Sequence, residues 1–246
     1  MNREAQSVVL FVLGVAVLRI SIDGSYLRYV KEWLQPFLIA AGAGLVVLGL
    51  VAAWADGLLR RAAEQPAEAT ASAADDDHAH AHGGPSVAWL LLLPVLAIFL
   101  VAPPPLGSYA AGRDSGAVAQ PTDNTGLPAL PPGDPVAMGL GDYSVRAVWD
   151  EGRTLRGRTV KLSGFVTPRE GGGWHLTRMA LSCCAADARA IKVEIRDAPA
   201  LPPDTWVEVV GQWSPIADNI DAIDAIPAMA AGQVRQIEQP RNPYET

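Results

Sequence analysis

From Pro36 to Ala55 the chain carries no charge. A run of about 20 such residues, rising 1.5 Å each, crosses the roughly 30 Å hydrocarbon layer of a bilayer. Inside that layer every backbone amide must find its partner within the segment, so the run is predicted to be a helix. Two further apolar runs flank it. Ala5 to Ile22 has only Gln6 and Arg19 as markedly polar residues, and Arg19 lies near the end, where its stem can reach the headgroups. The stretch Arg19 to Asp23 lacks the small-x-small pattern of a signal cleavage site, so a retained helix is expected. Val87 to Ala102 is shorter, with Pro94 inside it and Pro85 and Pro103 to Pro105 at its borders. Three transmembrane helices are therefore expected. Trp33, Trp54 and Trp89 fall near their ends, and Tyr26 and Tyr29 lie beside Arg28 and Lys31, as residues of a membrane interface do. Gly42, Gly49 and Ala53, spaced by seven and four, offer a small-residue face for a partner helix. The plainer reading is that such residues are common in membrane helices.

Composition agrees. Hydrophobic residues make up 50% and charged residues 18%, with mean hydropathy +0.17. Most of the apolar excess precedes residue 103. The net charge of −7 divides into −5 up to residue 140 and −2 beyond it, and no basic stripe follows any element, so nucleic acid is not expected as a partner. The two cysteines, Cys183 and Cys184, are adjacent and cannot staple distant parts of a fold. Hydrolase, metalloprotease, phosphate-loop and dinucleotide motifs are all missing, so the chain is not expected to be an enzyme.

Five segments follow: residues 1–56 with two helices, an Asp/His-rich linker at 57–85, a third helix at 86–103, a Pro/Gly-rich linker at 104–140, and a β-domain at 141–246. In the last, a short helix is expected over Asp142–Glu151. Strands are expected at Arg158–Thr167, Trp174–Ser182, Ala190–Arg196, Thr205–Trp213 and Val234–Glu238. Gly171 to Gly173 marks a turn. Trp174, Trp206 and Trp213 are expected to fill the interior. Gly164 and Gly211 inside strands point to sharp bends or close backbone approach. A small OB-like barrel fits, and a β-sandwich is the alternative that alternation alone leaves open.

Two groups could carry chemistry. Ser182-Cys183-Cys184-Ala185-Ala186-Asp187 lies between the second and third expected strands. Adjacent thiols give two soft donors, suited to zinc, copper(I) or a trivalent metalloid. Asp187 could add an oxygen, and His175 lies one strand earlier. The same pair could form an easily reduced vicinal disulfide, or simply pack as small apolar residues. Four-ligand zinc would be strained with adjacent cysteines. The second group is His78, His80 and His82 after Asp75 to Asp77, a composition that binds zinc, nickel or copper or else is a solvated linker.

Several stretches together resemble the YcgQ-type family of bacterial membrane proteins. They are Tyr26-Leu27-Arg28-Tyr29-Val30, Pro36-Phe37-Leu38, the His/Asp linker, Val160 to Val166, Ser182 to Ala188, Trp206 to Gly211 and Gln239 to Glu245. The resemblance covers nearly the whole chain, with the Cys-Cys-Ala-x-Asp stretch its most specific part. It implies an accessory subunit of a two-component permease, with a polytopic membrane permease subunit as partner. It implies neither a substrate nor a catalytic residue. A membrane-anchored metal-binding or sensing protein and a non-catalytic envelope scaffold are the other readings. Arg60-Arg61 after the cleanest span and the lysine-free linker favour a cytoplasmic N-terminus and an extracytoplasmic β-domain.

Overall fold

The computed structural model describes residues 3–63, 104–118, 120, 127–216 and 225–245. They fall into two compact units. One contains the N-terminal helices, and the other combines residues 27–32 with the chain from Pro104 onward.

The first unit is a pair of helices, α1 (Arg3–Asp23) and α2 (Gln35–Ala63). Pro36 sits in the first turn of α2, where a missing N–H costs nothing. The windows Gln6–Asp23 and Glu32–Gly57 are long and apolar enough to cross a membrane. Only 17% and 11% of them is buried, so neither resembles the core helix of a soluble domain. The helices touch through small residues. A Cβ on Gly49 would stand 2.8 Å from the Phe11 amide nitrogen, and one on Gly42 would stand 2.9 Å from Leu18 Cγ. Gly14 meets Gly42 and Val46 in the same way. Gln35 Nε2 donates to the Ser21 carbonyl at 3.1 Å, which completes an antiparallel hairpin. Ser7, Gly14 and Ser21 on α1 and Gly42 and Gly49 on α2 are all buried, a seven-residue spacing that keeps one seam facing the partner helix. Gly42 and Gly49 thus serve a partner helix within the chain. Ala53, four residues beyond Gly49, is exposed. Phe37, Val47, Leu48, Val51, Trp33 and Trp54 are exposed around the outside.

The second unit is built on a seven-stranded mixed sheet: β1 (Val136–Ala137), β2 (Thr159–Pro168), β3 (Trp174–Ala180), β4 (Arg189–Arg196), β5 (Trp206–Ser214), β6 (Ala228–Gln236) and β7 (Tyr244–Glu245). The order is β1-β2-β5-β6-β4-β3-β7, and β2 also pairs with β3. The pairings β2–β5–β6–β4–β3–β2 therefore return to their start. β4–β6 is parallel, and the other four links in this ring are antiparallel. Gly164 and Gly211 lie where the carbonyls of Thr177 and Ala230 approach so closely that no Cβ would fit.

One face of the sheet follows strict alternation. Val160, Leu162 and Val166 of β2, Trp174 and Leu176 of β3, Val193 and Ile195 of β4, and Val207 and Val209 of β5 form the main core. Leu140, Tyr143 and Ala147 of a short helix (Leu140–Val148) close it. Each such side chain contributes roughly 1.5–3 kcal/mol on burial. Trp174 is buried and Trp213 packs against this core from its edge.

The opposite face carries a smaller cluster of Phe165, Met179, Leu181, Ala190, Trp206 and Tyr244, covered by Leu106 and Ala111. Residues 104–118, read as extended linker, thus belong to the packed unit and form a helical turn at Ser108–Gly112. Asp204 holds its start, accepting from Ser108 N–H at 2.6 Å and from Ser108 Oγ at 2.8 Å. The sheet has seven strands and not five, because β1 and β7 are two-residue parallel additions that leave no alternation to read. The third apolar run (86–103) lies outside the described residues.

Candidate metal centre

β3 ends at Ala180, with Leu181 buried beneath it. The chain then turns about a single carboxylate. Asp187 Oδ1 accepts Ser182 N–H at 2.8 Å. Its Oδ2 accepts Cys183 N–H at 2.8 Å and Cys184 N–H at 3.4 Å. In return the Asp187 N–H reaches the Cys184 side chain, a reciprocal cap on the 3-10 turn Ala185–Asp187. Ala188 packs into the smaller cluster and β4 begins at Arg189. The spacing of Asp187 from the twin cysteines is therefore what closes the loop.

Both cysteines are free thiols, Cys183 exposed and Cys184 partly buried. One donor atom from each of Cys183, Cys184 and Asp187 lies within 4.8 Å of the others. The carboxylate beside it, then the Cys184 sulfur, push the Cys183 thiol up to about 12. The same Cys183 hydrogen bond, helped by the backbone amides, holds Asp187 down at about 2. At neutral pH Cys183 is thus a protonated thiol. Nucleophilic and redox cysteines have the opposite perturbation, a depressed pKa beside positive charge.

A second strand-like contact builds the site. Val30 and Cys184 face one another in an isolated antiparallel bridge. Lys31 N–H donates to the Cys183 carbonyl at 3.1 Å, and Ala185 N–H donates to the Tyr29 carbonyl at 2.7 Å. Tyr244 Oη donates to the Arg28 carbonyl at 2.7 Å. Residues 27–32, which connect α1 to α2 in the sequence, are in this way part of the β-unit. The reading of Tyr29 and Lys31 as interfacial residues missed this role. The available signal was only a short run, Leu27 to Lys31, without a glycine or proline.

His175 does not join the group. It sits in mid-sheet on β3, opposite Thr167 of β2 and Glu194 of β4, with its side chain buried. Burial first, then the nearby charges of Lys192 and Arg169, push its pKa down to about 4. Its distance along the strand from the loop, and the opposing register of β4, remove it from the donor set. His78, His80 and His82 lie outside the described residues.

A sheet closed by its pairings, with a dithiol loop at one strand end, defines the C-terminal unit. Residues 146–245 match the family described as DUF1980 C-terminal domain. The match covers most of the strands and the whole Cys-Cys-Asp loop, and less than half of the chain. It is consistent with the YcgQ-type resemblance. No curated protein and no solved structure matched the chain.

Proposed function

We propose that this protein is a membrane-anchored accessory subunit of a permease, and that it handles a soft metal or metalloid ion through Cys183 and Cys184. It works without catalysing a reaction. The observation that carries this reading is the convergence of two thiols and a carboxylate on an exposed loop, paired with the segment that joins two apolar helices. Two apolar helices among the described residues are too few to enclose a pore, so passage of a solute requires a polytopic partner. Two free thiols side by side, one of them exposed, support capture of a soft ion. The ring of strand pairings supports an OB-like barrel, a fold that presents ligands on its loops and faces. The arginine pattern supports an extracytoplasmic site.

The test is affinity purification of the tagged full-length chain from native membranes in mild detergent, with measurement of soft-ion tolerance in cells. The reading expects a polytopic membrane protein in stoichiometric amount. It also expects that Cys183→Ser/Cys184→Ser alters tolerance while the partner still co-purifies. Recovery of the chain without a membrane partner, and tolerance unchanged by the double substitution, would reject it.

A further inference from the structure

The number of donors left at the loop narrows what it can hold. Asp187 is close enough to ligate, but both carboxylate oxygens are already occupied by the amides of Ser182, Cys183 and Cys184. Pulling it onto an ion would strip these amides and open the turn that brings the two thiols together. Among the described residues no further His, Cys, Asp or Glu joins the group. Two sulfurs remain. Zinc takes four ligands in structural sites and three in catalytic ones, so this set does not close around it. A soft, singly charged ion is satisfied by two thiolates. Donor atoms within 4.8 Å of one another can flank such an ion at a bond length of about 2.3 Å, that of a metal–thiolate bond.

Building on the reading above, we propose that Cys183 and Cys184 form a two-sulfur site for cuprous copper, with Asp187 positioning the loop and not ligating. On binding, two S–H bonds break, two S–Cu bonds form and both protons leave to solvent. Copper remains Cu(I), and no electron changes hands. The Asp187 N–H directed at the Cys184 side chain orients that sulfur. The exposure of Cys183 keeps one side of the ion open to an incoming ligand. A site of low coordination with an open side exchanges its ion readily, as transfer to a partner requires.

The test is X-ray absorption on the detergent-purified full-length protein loaded anaerobically with Cu(I), beside competition against a chromophoric Cu(I) chelator. The site predicts one Cu(I) per chain, two sulfur scatterers and no oxygen or nitrogen in the first shell. Asp187→Asn should keep the two-sulfur shell, because the carboxylate holds backbone amides and is not a ligand. An oxygen or nitrogen neighbour in the wild-type spectrum overturns the two-sulfur assignment, as does preferential four-coordinate binding of Zn(II), while either leaves the soft-ion reading standing. Equal Cu(I) binding by wild type and by Cys183→Ser/Cys184→Ser, with no other soft ion showing thiol dependence, overturns both.

Discussion

Val30 and Cys184, 154 positions apart in the sequence, face each other in an antiparallel bridge, with Lys31 N–H and the Cys183 carbonyl joined at 3.1 Å. The thiol loop is therefore not a free strand-end turn. One of its edges is completed by the segment between the two apolar helices.

This pairing fixes a shared sidedness. A membrane-impermeant maleimide that labels Cys183 from one side of intact cells or vesicles should label a cysteine placed at Arg28 from the same side. The placed cysteine is tested in the Cys183→Ser/Cys184→Ser background. Labelling from opposite sides would show that the two segments do not pair in the membrane.

Asp187 governs the reactivity of Cys183. Its carboxylate accepts the thiol hydrogen and adds a nearby negative charge, and both effects keep the thiol protonated. Asp187→Asn removes the charge and should speed iodoacetamide alkylation of Cys183 at pH 8 by about tenfold or more, since each pKa unit is a tenfold change in thiolate where the thiol is mostly protonated. An unchanged rate would mean that the carboxylate does not hold that proton.

Much of this architecture was readable in advance, and the exceptions share a cause. β2, β3, β4 and β5 alternate clearly, and each falls within two residues of its expected ends. β6 begins six residues before its expected start, because Ala228-Met229-Ala230-Ala231 has no β-branched residue to mark it. β1 and β7 owe their existence to partners at Val160–Lys161 and Met179–Ala180, not to their own composition. The same holds for residues 29–31 and for Leu106 and Ala111. Local pattern reveals an element that would form from its own periodicity, and stays silent about one recruited by a distant edge. Cys183, Cys184 and Asp187 were legible as a group from chemistry and spacing. That Asp187 spends its oxygens on backbone amides was not, since a ligand and a loop clasp look alike in sequence.

The helix hairpin depends on glycine at Gly49, where a side chain would strike the α1 backbone. Gly49→Leu should destabilise the pair by about 1–3 kcal/mol, the usual cost of overpacking, and lower the thermal midpoint in detergent. Ala53→Leu, at an exposed position, should leave it unchanged. Equal effects at both positions would contradict the seam.

His175 makes the β-unit acid-sensitive. Its folded pKa is near 4, against an unfolded value of 6.5. Between these limits the unfolded chain binds more protons, so stability is complete above about pH 6.5 and falls as the pH drops toward 4. At about 1.4 kcal/mol per pKa unit the loss is on the order of 3 kcal/mol. Lys192, Arg169 and Glu194 surround the ring. Urea midpoints of wild type and His175→Gln across pH 4.5–7.5 should therefore diverge, with the variant showing the flatter profile. Parallel profiles would show that the ring is not the titrating group.

The proposed site at Cys183 and Cys184 holds one soft ion. Its most direct test is the stoichiometry of soft-ion binding to detergent-purified protein, measured for wild type, for Cys183→Ser/Cys184→Ser and for a variant with His78, His80 and His82 replaced. About one tightly held ion per chain is expected in the wild type and in the histidine variant, and none in the double-serine protein. Equal tight binding by all three proteins would contradict it and return Cys183 and Cys184 to the role of packing residues.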